Sequence, residues 1–261
     1  MAKSRASNVT RAKELAAKLQ RQGVEGVVLS YVETAGINRI KTIPVARLPR
    51  ATEVGVGMSP VFDTFLSDDS ITTTGEMGGP DGDLRLFPDL DQIVVLAGQP
   101  GWAWAPVDRR TQDDEPYAAC QRTFARTMIE RAADAGLTVQ MAFEIEWCVG
   151  KTGTDDFVPA CSGSAYGMTR LVELSDYARD ILTALEKEDV DVDQLHPEYA
   201  AGQFEVSVGA ADPVAAADRS VLVRQTIRAV SAEHGVRPSF APSVVPGTVG
   251  NGGHVHLSVW R

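Results

Sequence analysis

Residues Leu195–Val208 read LHPEYAAGQFEVSV. The run divides into two short strand patterns around a turn of small residues, Ala200, Ala201 and Gly202. The first strand carries Glu198 and the second carries Glu205. Such a hairpin brings two carboxylates to one side of a sheet. Acids placed together without a basic neighbour repel each other, and a cation between them relieves the repulsion. The hairpin alone leaves two readings open: half of a cation site, or an ordinary hairpin with two solvated glutamates.

Two further strand patterns bear on that choice. Glu144-Ile145-Glu146 lies among Ala142, Phe143 and Trp147. Period-two geometry sends both carboxylates to one face and Ile145 to the other. Buried like charges need a cation or a proton, whereas a half-buried sheet can turn the pair to solvent. His254-Val255-His256 repeats the geometry with imidazoles, after the Gly-rich run Gly247–Gly253. That loop lets backbone N–H groups approach an anion, and the histidines suit metal or phosphate. A flexible loop leading into two exposed histidines is the alternative. Of the other two histidines, His234 ends a helix pattern and His196 is read as orienting the hairpin. Oxygen ligands with an admixed histidine suit Mg²⁺ or Mn²⁺ better than Zn²⁺, and no cysteine set offers a zinc site. Ligand types alone lead to a two-metal phosphoryl-transfer or hydrolytic enzyme.

Composition sets the surroundings. The 261 residues are 44% hydrophobic, enough for one large domain or two smaller ones. A net charge of -10 and a pI near 4.9 argue against nucleic acid or an anionic membrane as partner. Cys120, Cys148 and Cys161 show no CxxC pairing and read as buried thiols of a reducing compartment. The N-terminal stretch is basic but polar, and no apolar run reaches membrane-spanning length. A cytoplasmic location is the expectation.

Along the chain, Val9–Gln22 predicts an amphipathic helix closed by Gly23. Gly26–Val32 and Asn38–Ile43 predict strands around a turn. Val61–Phe65, Leu84–Phe87, Ile93–Leu96 and Trp102–Pro106 predict further strands, with Ser67–Asp83 as a loop. Asp108–Glu115 (DRRTQDDE) reads as a solvated linker. Pro116 begins a helix pattern with Cys120, Phe124, Met128 and Ala132 in one stripe, stopped by Gly136. Leu137–Val149 predicts a long strand, Gly150–Gly167 a loop, and Leu171–Lys187 a helix. Asp212 and Pro213 open a last helix with Val223, Ile227 and Val230 buried, ended by Gly235. Ser239–Val245 and His254–Val259 are the final segments.

Five motifs in this order carry a family resemblance. GVVLSYVETAGINRIKTIP (Gly26–Pro44), FDTFLSDDSI (Phe62–Ile71) with GDLRLFPD (Gly82–Asp89), FEIEW (Phe143–Trp147), HPEYAAGQFEVS (His196–Ser207) and GNGGHVHLS (Gly250–Ser258) resemble the glutamine synthetase superfamily. The resemblance implies an α+β protein with an N-terminal β-grasp domain over residues 1–112. Residues 113–261 would be the first part of a glutamine synthetase-type catalytic domain, an antiparallel curved sheet with flanking helices. It implies a ligase that phosphorylates the γ-carboxylate of glutamate with ATP and lets ammonia or an amine displace the phosphate. Glu146, Glu198 and Glu205 would hold one Mg²⁺ or Mn²⁺ ion, and Glu144 with His254 part of a second. His256, Ser258 and Asp193 would contact ATP, and Gly250 would lie beside glutamate. Glu33 would stand at the amine site, which in this family lies between neighbouring subunits of a double-ring homo-oligomer.

Three departures shape the expectation. Glu33 replaces the family's aspartate and lengthens the arm at the amine pocket. Val249 replaces an asparagine and cannot hydrogen-bond a substrate. Both imply a γ-glutamyl-amine ligase for a larger amine such as a polyamine. Family members also continue well past the HxH strand, so the chain is expected to be a truncated form with little ligase activity alone, or a non-catalytic homologue that joins full-length subunits.

Overall fold

A computed structural model describes residues 5–72, 79 and 82–261 of the chain. The expected loop Ser67–Asp83 therefore falls partly outside the described residues. The chain divides into two compact units, residues 1–96 with 100–128, and residues 97–99 with 129–261.

The first unit begins with helix α1 (Arg5–Arg21), which starts ahead of the predicted Val9 and ends at Gly23, φ +82°. Strands β1 (Gly26–Val32) and β2 (Asn38–Pro44) pair antiparallel around Gly36, φ +87°. Then come α2 (Leu48–Val54), β3 (Val56–Met58), β4 (Leu84–Pro88), β5 (Val94–Val95) and β6 (Trp102–Arg110). The sheet order is β2-β1-β6-β4-β3, with β5 also on β6 and a parallel β1–β6 pair at its centre. Val27, Leu29, Leu48, Leu86, Ala105 and Val107 form its core with Ala12, Ala16 and Leu19 of α1.

Two expectations fail in this unit. Pro60–Thr64 is a 3₁₀ turn opened by Ser59, whose Oγ accepts from the Val61 N–H, so Val61–Phe65 is not a strand. The charged run at Asp108 is not a solvated linker either. Asp108, Arg109 and Arg110 complete β6, and the alternation turns Arg109 inward. Its guanidinium, 1% exposed, donates to both oxygens of Asp63 at 2.8 and 2.6 Å and lies over the rings of Tyr31 and Tyr117. Asp108 instead faces Arg122 and Arg126. A charged run reads as a linker only while its partners are invisible, and here the partner lies 46 residues away.

Helix α3 (Gln121–Asp134) starts later than Pro116 suggests and buries none of its residues, so the predicted Cys120–Ala132 stripe is not a core face. Cys120 is buried, but just ahead of the helix.

In the second unit, β7 (Thr138–Lys151) is the longest strand. It is followed by α4 (Met168–Glu173) and α5 (Ser175–Lys187), two helices broken at Leu174 where one was expected. Strands β8 (Val192–Pro197) and β9 (Gln203–Val208) form the hairpin, with Glu198 just past the end of β8. Helix α6 (Pro213–Glu233) opens as predicted: Asp212 Oδ1 accepts from Val214 N and Ala215 N. Strand β10 (Val236–Ser239) ends where the predicted Ser239–Val245 segment begins, and β11 (Gly253–Trp260) closes the chain.

The sheet order is β10-β7-β9-β8, with β11 also on β7. All these pairs are antiparallel. The register separates the two faces. Ile145 lies opposite Val206 and Trp147 opposite Phe204. Trp147 Nε1 donates to the hydroxyl of Tyr177 on α5, which also bonds Ser231 on α6. That face is the apolar core under the helices. Glu144, Glu146 and Cys148 lie on the other face, opposite Ser207, Glu205 and Gln203.

Candidate metal centre and substrate site

The site stands on the polar face of the second sheet, and strand register assembles it. Glu146 is opposite Glu205, and Glu205 is opposite His196. One step along β7, Glu144 lies between Ser207 of β9 and His254 of β11. Glutamates and histidines distant in sequence thus form two adjacent rows.

Two sets of possible ligand atoms result. Glu144, Glu205 and His254 each offer one atom within 4.8 Å of the others, and so do His196, Glu198 and Glu205. Glu205 belongs to both. Burial, and then the neighbouring Glu144 and Glu198, push its carboxyl above the usual range, against the opposing pull of His196. Among the described residues, the charged partners of Glu144, Glu146, Glu198 and Glu205 are histidines, and no Lys or Arg pairs with them. A set of buried acids short of positive charge fits a hard divalent cation with oxygen ligands.

Glu146 stands apart from both sets. Its Oε2 accepts from Gln203 Nε2 at 2.7 Å, and its Oε1 is 4.0 Å from His254 Nδ1. The same Gln203 nitrogen is 3.0 Å from Gly250 O and 3.0 Å from Asn251 Oδ1. The Gln203 side-chain oxygen Oε1 accepts from Ala200 N at 2.8 Å. Gln203, fully buried, therefore ties Glu146, the Gly-rich loop and the hairpin turn together. Asn251 completes the tie: its Nδ2 donates to Ser239 O and Ala241 O. Cys148 beside it donates to Asn251 Oδ1, and burial, followed by Glu146, raises its thiol to about 11.

Glycine is required at one point of this loop: a Cβ on Gly250 would clash with the backbone oxygen of Pro242. A Cβ on Gly252 would push on the side-chain ends of Glu146 and His254, which would have to move.

The remaining expected residues are placed as follows. His254 Nδ1 is 3.0 Å from Glu144 Oε2, and His256 Nε2 is 3.2 Å from Glu144 Oε1, so one carboxylate spans both imidazoles. Ser258, on the same face of β11, accepts from Trp260 Nε1. Asp193 is exposed at a register shift of β8. Glu33 lies in the first unit, fully buried. Its carboxylate accepts from Ala35 N and Ile37 N at 2.7 and 3.0 Å, and Arg39 is 3.9 Å away.

Four residues of the second unit were not singled out as site residues. His196 lies 3.4 Å from Glu198 and 3.5 Å from Glu205. Tyr166 stacks on His196, ring centroids 4.9 Å apart, and donates its hydroxyl to Glu198 Oε1. That bond, with burial second, raises the phenol to about 12. Gln203 and the buried Arg170 support them, and Arg170 donates to the carbonyls of Gly163, Glu198, Tyr199 and Ala200. For Gln203 alone there was a signal, a polar side chain inside an apolar strand on the side of Glu205.

Fold and site together define a mixed α+β protein whose second sheet presents clustered carboxylates and imidazoles of metal-ligand type. Residues 118–261 match the family model described as glutamine synthetase, catalytic domain, and the chain belongs to the glutamine synthetase family. It is 64% identical over 260 residues to the gamma-glutamylpolyamine synthetase GlnA3 of Streptomyces coelicolor, covering 98% of this chain and 56% of that one. It is 26% identical to a glutamine synthetase of Rhizobium leguminosarum, covering 95% of this chain and 55% of that one. A crystal structure described as a novel glutamine synthase homolog superimposes with a TM-score of 0.82 at 32% identity, covering 90% of this chain and 55% of that one. The chain thus spans about half the length of these relatives. No helix among the described residues is long and apolar enough to cross a membrane.

Proposed function

We propose that this chain is the metal-binding portion of an ATP-dependent ligase that joins the γ-carboxylate of glutamate to an amine through a γ-glutamyl phosphate. The observation that carries the reading is Glu205, shared by two ligand sets on a family-matched sheet and short of positive charge. The acceptor class is a polyamine. The 64% identity to a protein named for that activity supports this choice, as do Glu33 and Val249 where ammonia-using relatives are expected to carry aspartate and asparagine.

Glu144, Glu205 and His254 would hold one divalent ion, Mg²⁺ or Mn²⁺, and His196, Glu198 and Glu205 a second. Glu146 would add Oε1, the oxygen that Gln203 does not bond, as a further ligand. Bound there, the ions would neutralise charge on transferring phosphoryl oxygens. The chain's own groups do the positioning. Gln203 and Asn251 hold Gly250 at the glutamate position, and β11 presents His256 and Ser258 toward ATP, with Asp193 beside the hairpin.

The mixed sheet around the parallel β1–β6 pair supports a β-grasp reading of residues 1–112, with residues 113–261 as the catalytic portion. Glu33 would complete the amine site of a neighbouring subunit in a double-ring homo-oligomer. Three buried free cysteines fit a cytoplasmic location.

The test measures phosphate release from ATP with glutamate and a panel of ammonium, monoamines and diamines, with Mg²⁺ or Mn²⁺. Diamines are expected to exceed ammonium. Ammonium as the best acceptor refutes the polyamine reading. Metal binding without amine-dependent turnover refutes activity of this chain by itself.

A further inference from the structure

Helix α6 carries a pair of cations that the metal centre does not use. Arg224 and Arg228 stand one helical turn apart, and both guanidiniums lie over the ring of Phe240, 5.2 and 4.8 Å from its centroid. Among the described residues, neither donates a hydrogen bond or pairs with an acid. Side chains along a helix meet at separations of about three and four residues. Apart from the arginines themselves, those positions hold Ser220, Val221, Gln225, Ile227, Ser231 and Ala232, and none is an acid. The loop beyond β10 supplies none either, since residues 240–253 carry no charged side chain.

Like charges one turn apart repel, and here they are also partly desolvated. Burial lowers both guanidiniums from their ordinary pKa, and the charge of Arg228 adds to the effect on Arg224. The surroundings concentrate positive charge. From Arg219 to Arg261 the chain has five arginines and one acid, Glu233, although its net charge is -10. The ring beneath the pair is held by the Gly-rich loop. Asn251 Nδ2 donates to Ser239 O and Ala241 O, the carbonyls on either side of Phe240. A ring face attracts the cations but offers no oxygen acceptor, so their N–H donors remain for an anion.

We propose that Arg224, Arg228 and Phe240 form a binding site for a phosphate dianion, free or as a phosphomonoester, at the base of the Gly-rich loop. The site is separate from the metal centre, because α6 covers the apolar face of the sheet and the carboxylates line the other. Two guanidinium charges match a dianion, and each guanidinium can present two parallel N–H donors to phosphate oxygens. The anion supplies the acceptors that both cations lack and cancels their repulsion. Side chains kept for binding at a cost to stability are recognised because their removal does not destabilise the free chain. The site does not depend on the ligase reading and would stand if that reading failed.

The experiment titrates the full chain with inorganic phosphate and with glycerol 3-phosphate by calorimetry, and follows thermal melting of the same samples. EDTA keeps phosphate from entering through a divalent ion at the carboxylates, and sodium chloride fixes the ionic strength. Wild type is compared with Arg224→Gln, Arg228→Gln and the double variant. Each single variant is expected to weaken phosphate binding about 10-fold, and the double variant to abolish it. Phosphate should raise the Tm of wild type and leave that of the double variant unchanged. Without phosphate the variants should melt at or above wild type, since each relieves the repulsion, and this also shows that they fold. Tighter binding of glycerol 3-phosphate assigns the site to the ester, and equal or weaker binding assigns it to the free anion. No phosphate binding by wild type, or equal binding by the double variant, overturns the proposal. A fall in Tm for both single variants with no response to phosphate also overturns it and leaves the pair as a cation–π contact alone.

Discussion

Gln203→Met tests whether the site is held by a buried amide rather than by the metal ligands themselves. Methionine keeps the length and most of the volume of glutamine and removes both polar atoms. The Gln203 side chain is fully buried, so water cannot replace what it loses. Its bond to the Glu146 carboxylate at 2.7 Å is charge-assisted, worth about 1.5–3 kcal/mol. The Ala200 N–H loses its acceptor at 2.8 Å, another ~1 kcal/mol. The bonds to Gly250 O and Asn251 Oδ1 share the same nitrogen, and one –NH₂ group has only two protons for three acceptors, so they add little. The expected loss is about 3 kcal/mol. Urea titration followed by circular dichroism measures it, with Gln194→Met as control. The Gln194 amide makes a bond to Ser207 Oγ at 3.1 Å on an exposed side chain, and its removal should cost about 0.5 kcal/mol. A loss below about 1 kcal/mol for Gln203→Met, or equal losses for the two variants, refutes the assignment of Gln203 as the clamp.

Asp63→Ala leaves the buried Arg109 guanidinium unpaired and should cost about 3–5 kcal/mol in the same titration, whereas Asp63→Ala with Arg109→Met should recover much of that loss. Glu188 is buried and bonded to Thr226 Oγ1 and Ala97 N, and burial raises its carboxyl above the ordinary range. Thr226 also donates to Leu222 O, so a protonated Glu188 can donate to the hydroxyl and satisfy both. The folded state therefore holds this proton to a higher pH than the unfolded chain does. Its stabilising contribution is complete below the unfolded carboxyl range and is lost as pH rises through the raised value. Glu188→Gln, which keeps the donor, should flatten the decline in stability as pH rises above the ordinary carboxyl range; a profile parallel to wild type refutes it. Gly252→Ala should displace Glu146 and His254 and weaken Mn²⁺ binding about 10-fold by calorimetry, with little change in melting temperature; unchanged affinity would show that the loop gives way freely.

Much of the site was legible because period-two alternation is a local rule. Glu144 and Glu146 had to share a face, and so did His254 and His256, whatever the sheet around them. The Gly-rich approach to β11 and the Asp212-Pro213 helix start were legible for the same reason. Arg109 was not, since its charge looks solvated until Asp63, Tyr31 and Tyr117 close around it. Tyr166 was not, because its loop has no period and its partner Glu198 lies 32 residues further along the chain. The expected stripe on α3 misled because spacing reports a face but not whether anything covers it.

The sequence by itself determined the strands that carry the acids and histidines, which of their residues share a face, and the family to which the motifs belong. Only the tertiary structure decided how the acids group. Register between β7, β9 and β8 makes Glu205 the shared member of two sets, brings in His196, and hands Glu146 to Gln203. The register of β7 with β9 and β11 is set by hydrogen bonds and packing between residues 55 to 122 positions apart. No local pattern contains it, because a slip of one residue would keep every strand and scatter the site.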